Sequence, residues 1–307
     1  MTKVRSTDKS RVRDVRGQSS GGGGGLGFPF PGMGGSSSGG GGGGMTFPGG
    51  AKAGGGLLGV IVLVAALFLP KLLGAGSTQS AADVPAASSG GGQCEGDLER
   101  ILCGANNSVQ EYWAAALPQY YGTEYQYTDM VWFTGGVSTG CGQASSETGP
   151  FYCPLDNLVY LDLDFMQQLE TMLVGRTSDL AEQYIVAHEF GHHVQNLLGT
   201  NAQVQRAQQN DPSRANQYSV ALELQADCYA GVWVGSNDVL ENQAELQEAL
   251  DAAEGVGDDR IQQKTQGRID PESWTHGSAE QRRTWFLQGY NSQNPRTCDA
   301  TFNEITR

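Results

Sequence analysis

The chain has 307 residues, 45 of them glycine, with 19 Lys and Arg against 33 Asp and Glu for a net charge of −14 at pH 7. Glycine crowds the first part of the chain so heavily that the foldable portion must be smaller than the whole. The acidity excludes a nucleic-acid surface over the part that carries it, because phosphate would be repelled.

Residues 1–53 hold glycine runs at 21–25 and 39–44 among Ser, Pro and scattered Phe and Met, with no apolar period. Ordering such a segment costs entropy that burial cannot offset, so the composition predicts a disordered, Gly-rich tail. Residues 54–73, GGGLLGVIVLVAALFLPKLL, are apolar apart from Lys71. They are long enough to cross about 30 Å of hydrocarbon as one transmembrane helix. More than fifty residues precede the run, unlike the short charged region of a secretory signal, so an uncleaved anchor is expected even though Ala75 and Ser77 resemble a small-residue cleavage site. Seven Lys and Arg against two Asp come before the run, net +5. Positive flanks stay in the cytoplasm, which predicts a single-pass protein of the cell membrane with its N-terminus inside and its C-terminal part outside.

Beyond residue 73 the balance reverses to 11 basic against 31 acidic side chains, net −20. Residues 74–93 are small, polar and Gly-rich and read as a linker; a folded domain is expected over 94–307. All six cysteines lie there: Cys94, Cys103, Cys141, Cys153, Cys228 and Cys298. No CxxC is present, and an oxidising compartment would permit disulfides. Local loop closure favours Cys94 with Cys103 and Cys141 with Cys153, which leaves Cys228 to hold Cys298; buried free thiols are the alternative.

Within the domain, 97–122 has helical apolar spacing broken by Pro118, whereas DMVWFTGGVSTGCG (129–142) and LVYLDL (158–163) are β-rich. Long helices follow, so the fold class is α+β, a small sheet with long helices. The first of these opens at Asp179, with Glu182 in capping-box position, and stops at Gly199. Leu180, Tyr184, Ala187, Gly191, Val194 and Leu198 share its apolar face. A second helix opens at Asp211 with Pro212 in its first turn and runs to Gly235. A third covers about 238–254, and the last, capped by Ser278 with Gln281, ends near Gly289.

Three of the four histidines fall in VAHEFGHHVQNLLG, 186–199. His188 and His192 are i and i+4 on a helix and share a face, with Cβ atoms about 5–6 Å apart, close enough to bind one zinc. With Glu189 they spell HExxH, and the Glu189 carboxylate can act as general base on a water at the metal without being a ligand. Gly191 costs the helix about 1 kcal/mol relative to alanine, which implies a close neighbour. A catalytic zinc needs three protein ligands, and no HExxHxxGxxH continuation supplies the third. The later ELQAD places Glu223 and Asp227 at i and i+4 in an apolar helix, where two carboxylates need partners. Glu223 as third ligand and Asp227 accepting a ring N–H of His188 would satisfy both. His193 points elsewhere on the helix and reads as a supporting hydrogen-bonding residue. His276, in THGSAEQRRTWF, either serves its loop or approaches from the far wall of a cleft to stabilise an oxyanion. Arg282 could orient an acid or the substrate.

VAHEFGHHVQNLLG, ELQADCYAGVW, CGQASSETGPFYCPLDNLVYLDLDF and THGSAEQRRTWF together resemble the bacterial neutral zinc metallopeptidases, the YpfJ-like proteins, across about residues 94–301. The resemblance implies a zincin-like domain, often behind one N-terminal membrane segment. It implies one zinc on His188, His192 and Glu223, with Glu189 as catalytic base. More distantly, HExxH followed by Glu223 to Asp227 and then His276 to Arg282 is similar to thermolysin-like and prenyl-protein-processing membrane metalloproteases, which often have a proline where this chain has Gly277. In zincins an edge strand pairs with the extended substrate; residues 142–152 or their neighbour are the candidate. The expected function is a membrane-anchored zinc endopeptidase acting on a peptide or protein substrate. The competing expectations are a non-catalytic zinc-binding adaptor of the cell envelope and a structural envelope protein with an accidental motif. The sequence does not determine an oligomeric state.

Overall fold

The computed structural model describes residues 3–17, 94–173 and 179–305. The predicted span at 54–73, the linker and residues 18–53 of the tail lie outside the described residues, among which no helix is long and apolar enough to cross a membrane.

Six strands are described: β1 (Val12–Asp14), β2 (Met130–Phe133), β3 (Gly136–Thr139), β4 (Gly142–Ser145), β5 (Phe151–Cys153) and β6 (Leu158–Asp162). β1, β2, β6 and β5 form one sheet in that order, parallel except for β5, which runs antiparallel to β6; β3 and β4 make a separate hairpin. MVWF and LVYLD are buried throughout, as continuous apolar runs in central strands require. Alternation sends Met130, Trp132, Val159 and Leu161 to the helical side, and Val131, Phe133, Leu158 and Tyr160 to a smaller cluster under the hairpin.

The helices are α1 (Asp97–Tyr121), α2 (Leu163–Leu173), α3 (Asp179–Leu197), α4 (Thr200–Asn210), α5 (Ala215–Ser236), α6 (Gln243–Gly255), α7 (Asp258–Gln266), α8 (Ala279–Ser292) and α9 (Ala300–Ile305). α5 is buried without interruption from Ser219 to Val234, so it is the axis of the core. Glycine makes its contact with α8 possible: a Cβ on Gly231 would lie 2.0 Å from the Phe286 carbonyl oxygen, and one on Gly289 2.0 Å from that of Cys228. The α+β expectation holds. The disulfides are Cys94–Cys103, Cys141–Cys153 and Cys228–Cys298, the pairing that loop closure favours.

Several elements differ from the sequence expectation. Pro118 does not break α1; it sits in the last turn, and the helix closes at Gly122, whose N–H donates to the Pro118 carbonyl at 3.0 Å. α4 and α7 were not anticipated, because TNAQVQRAQQN and DDRIQQKTQ bury only two and three residues respectively and carry almost no apolar period. α8 continues past Gly289 to Ser292, since that glycine serves a helix contact and not a terminus. α6 starts at Gln243, where Asn242 accepts from the Ala244 and Glu245 N–H groups.

The largest difference is at the N-terminus. Residues 3–17, read as part of a disordered tail, pack on the domain, with Val12 buried and β1 extending the sheet. The glycine runs that dominate the tail's composition lie beyond this short segment.

Gly231→Ala is expected to destabilise the protein by about 1–3 kcal/mol or more, because its Cβ meets backbone that cannot swing aside. Gly96→Ala, whose nearest neighbour is the Glu99 side chain at 3.7 Å, should shift a urea midpoint much less. Equal midpoints for the two variants would refute this account of the α5–α8 contact.

Candidate metal centre

α3 and α5 touch backbone to backbone where Gly191 meets Ala226: a Cβ on the glycine would stand 3.0 Å from the Ala226 Cα and 3.1 Å from its oxygen. This is the close neighbour that the mid-helix glycine implied. His188 and His192 lie three residues before and one after Gly191, and Glu223 and Asp227 flank Ala226. The contact therefore brings both pairs together.

His188 Nε2 lies 3.2 Å from Glu223 Oε2, and His192 Nε2 3.5 Å from Glu223 Oε1. One donor atom from each of the three residues falls within 4.8 Å of the others, the only such group among the described residues. Ligand atoms at about 2.0–2.1 Å from a tetrahedral zinc stand roughly 3.3 Å apart, so these spacings fit the ion.

The chemistry of the donors fits as well. His188 Nδ1 is 2.8 Å from Asp227 Oδ1, and His192 Nδ1 2.9 Å from Gln195 Oε1. With each Nδ1 donating to its acceptor, a metal that displaces the proton from Nε2 would find both Nε2 lone pairs facing inward. Gln195 is fixed in turn by donating to the Leu222 carbonyl at 2.7 Å and to Gln225 Oε1 at 3.1 Å.

Asp227 is fully buried and saturated. Besides His188, it accepts from Arg282 Nε at 2.8 Å, Arg282 Nη2 at 2.9 Å and the Tyr184 hydroxyl at 2.5 Å. Burial raises its pKa, but Arg282 and His188 outweigh that and hold it below the usual carboxylate range. Burial likewise opposes the charge on Glu223, and His192, His276 and His188 pull its pKa down. For His188 burial acts downward while Asp227 and Glu223 raise the pKa to about 10, so a proton and a metal compete for this nitrogen.

Glu189 is different. The residue is buried, burial pushes its pKa up, and its side chain makes no hydrogen bond among the described residues.

His276 is held by Asp258, a residue the sequence reading did not single out. Asp258 Oδ2 accepts the N–H groups of Thr275, His276 and Gly277 at 2.8, 2.7 and 3.1 Å, and Oδ1 faces His276 Nδ1 at 3.3 Å. Burial lowers the His276 pKa, but the carboxylates of Glu223 and Asp258 reverse the shift, which places the ring within electrostatic reach of the ligand group. Its Nε2 has no partner among the described residues. Gly277 sits at φ +88, a conformation closed to proline, which explains the departure from the related pattern.

The remaining candidates separate. Arg282 orients the acid Asp227, one of the two roles expected for it. His193 lies away from the ligands: its ring nitrogens face the Tyr152 hydroxyl at 3.1 Å and the Gln126 carbonyl at 2.6 Å, bracing β5. Tyr184, Gln195 and Asp258 were missed. Tyr184 stands one helical turn before His188, and Gln195 three residues after His192, but each reads locally as an ordinary helix residue.

The model of a family described as "Putative neutral zinc metallopeptidase" matches residues 5–302 of this chain. An uncharacterized protein of Mycobacterium tuberculosis (strain ATCC 25618 / H37Rv) is 48% identical over 206 residues, 63% of this chain and 67% of the relative. "Uncharacterized protein YpfJ" of Escherichia coli (strain K12) is 48% identical over 183 residues, 58% of this chain and 63% of that protein. No solved structure matches the chain.

Elemental analysis of the purified protein is expected to find one zinc per chain, lost in Glu223→Ala. In Gln195→Ala, competition with a chromophoric chelator should show affinity weakened about 10–100-fold, because His192 loses its orienting acceptor. Undiminished zinc in Glu223→Ala would remove that residue from the ligand set.

Proposed function

Because the chain belongs to the neutral zinc metallopeptidase family, we propose that it is a zinc-dependent endopeptidase hydrolysing peptide bonds in a peptide or protein substrate. The observation that carries this reading is Glu189. Its carboxylate has no hydrogen-bond partner among the described residues yet stays reachable by water, and it stands beside three converged metal donors of which it is not a member.

Zinc, when bound, polarises a carbonyl and lowers the pKa of water toward neutrality. His188, His192 and Glu223 would hold it, and Glu189 takes the proton from the attacking water. Its place in HExxH, one position around the helix from His188, lets it return that proton to the leaving nitrogen. His276, aimed by Asp258, offers Nε2–H to the oxygen on which charge develops. Arg282 and Tyr184 act on Asp227 and, through it, on His188. β5, the outer antiparallel strand of the sheet, lies against α3 and supports pairing with an extended substrate at its free edge.

The adaptor alternative would require a closed coordination shell. The donor group among the described residues has three members, which leaves a position for water or substrate. Three disulfides support a location outside the cytoplasm.

Glu189→Gln should keep its zinc and lose about 10²–10⁴-fold in turnover of a peptide library. Retained turnover at equal zinc content would remove the mechanism. His276→Gln and Asp258→Asn should each lower kcat/KM, by about tenfold to a hundredfold, with zinc content unchanged. Full activity in both would return His276 to a purely structural role.

A further inference from the structure

Residues 3–17 meet the domain through features that a loose tail would not share. β1 pairs in parallel with β2, Val12 opposite Met130 and Asp14 opposite Trp132, and the Met130 N–H donates to the Arg11 carbonyl at 3.0 Å. Further along, the Ser6 N–H donates to the Arg100 carbonyl at 3.0 Å and the Lys3 N–H to that of Val239 at 3.2 Å. Gly104 on α1 forms a notch for this backbone: a Cβ there would lie 2.6 Å from the Val4 oxygen and 2.8 Å from the Arg5 Cα. Gln183, five residues before His188 on α3, donates to the same Val4 oxygen at 2.6 Å.

The charges are complementary. Lys3 meets Asp238 at 2.6 Å, Arg5 meets Asp179 at 2.6 Å, Arg13 meets Asp129 at 2.5 Å and Arg16 meets Glu99 at 2.8 Å. Lys3–Asp238 is exposed and contributes little by itself, but the other three pairs are part-buried, and all four join a basic strip to acids of a net-negative domain, beside a β-ladder and a buried valine. These are the same cations that, read from sequence, mark a cytoplasmic flank.

We propose that the β2 edge, the Gly104 notch and the acidic residues around them are a docking surface for the chain's own residues 3–17, and that this arm works in the same compartment as residues 94–305. A docked arm puts the N-terminus and the domain on the same side of any membrane, in place of the opposite sides that the basic flank predicts. The proposal goes beyond the peptidase reading and does not depend on it.

The test uses the full chain in spheroplasts. The native cysteines are all paired, so Ser10→Cys on the arm and Ile269→Cys on the domain, both at exposed positions, can each be labelled alone with a membrane-impermeant maleimide before and after lysis. The two variants are expected to label with the same sidedness. In purified protein a carbodiimide should couple the Lys3 amine to the Asp238 carboxylate, read by mass spectrometry, and Gly104→Leu should reduce that product at least tenfold. Opposite sidedness overturns the proposal, as does the absence of the Lys3–Asp238 product while other Lys–carboxylate pairs couple. Labelling of both positions only after lysis would uphold the shared compartment and overturn the extracytoplasmic location given above, so the two readings fail separately.

Discussion

The buried carboxylate of Asp227 is the interaction on which the arrangement of the centre depends. It is reached from α3 by Tyr184 and His188 and from α8 by Arg282, so a single side chain on α5 ties three helices to one point. A charge at 0% exposure is tolerable only with such saturation. The guanidinium supplies the compensating charge in bidentate geometry, and the imidazole supplies the functional output. Fixing His188 Nδ1 as a donor turns its Nε2 toward Glu223 without any contact from Asp227 to the metal position itself.

That hub is useful only because the helices come close enough. Gly191 against Ala226 sets the α3–α5 distance, and Gly231 and Gly289 set that of α5–α8. Each glycine weakens its own helix by about 1 kcal/mol, and the cost is offset by packing and by short hydrogen bonds that a wider spacing would break. The loop before α8 repeats the arrangement on a smaller scale. Asp258 gathers three consecutive N–H groups and thereby aims His276. Asp227 and Asp258 thus each orient one histidine, His188 and His276.

The N-terminal arm shows how one set of charges supports two readings. As sequence, a cluster of Lys and Arg ahead of an apolar run reads as a membrane flank. As structure, four of those cations lie against acids of the domain. Composition cannot separate these cases, because it records the sign of a charge and not its partner. The strand itself is three residues long, too short for a period-2 pattern to stand out from its surroundings.

By itself, the sequence determined the elements whose signal is local. HExxH at helical spacing placed two donors on one face, and the capping box at Ser278 and Gln281 marked the start of α8. The β-rich segments containing MVWF and LVYLD marked strands, and the short loops of Cys94–Cys103 and Cys141–Cys153 marked two disulfides. Glu223 and Asp227 were legible because paired carboxylates in an apolar helix need partners. Only the tertiary structure decided what depends on distant residues: that Gln195 and Asp258 serve histidines, that Arg282 serves Asp227, that His193 faces away from the ligands, and that residues 3–17 complete the sheet. Hydrogen bonds and ion pairs act over about 3 Å in space whatever the separation along the chain. A residue recruited by one from a distant segment carries no mark of it in its own neighbourhood.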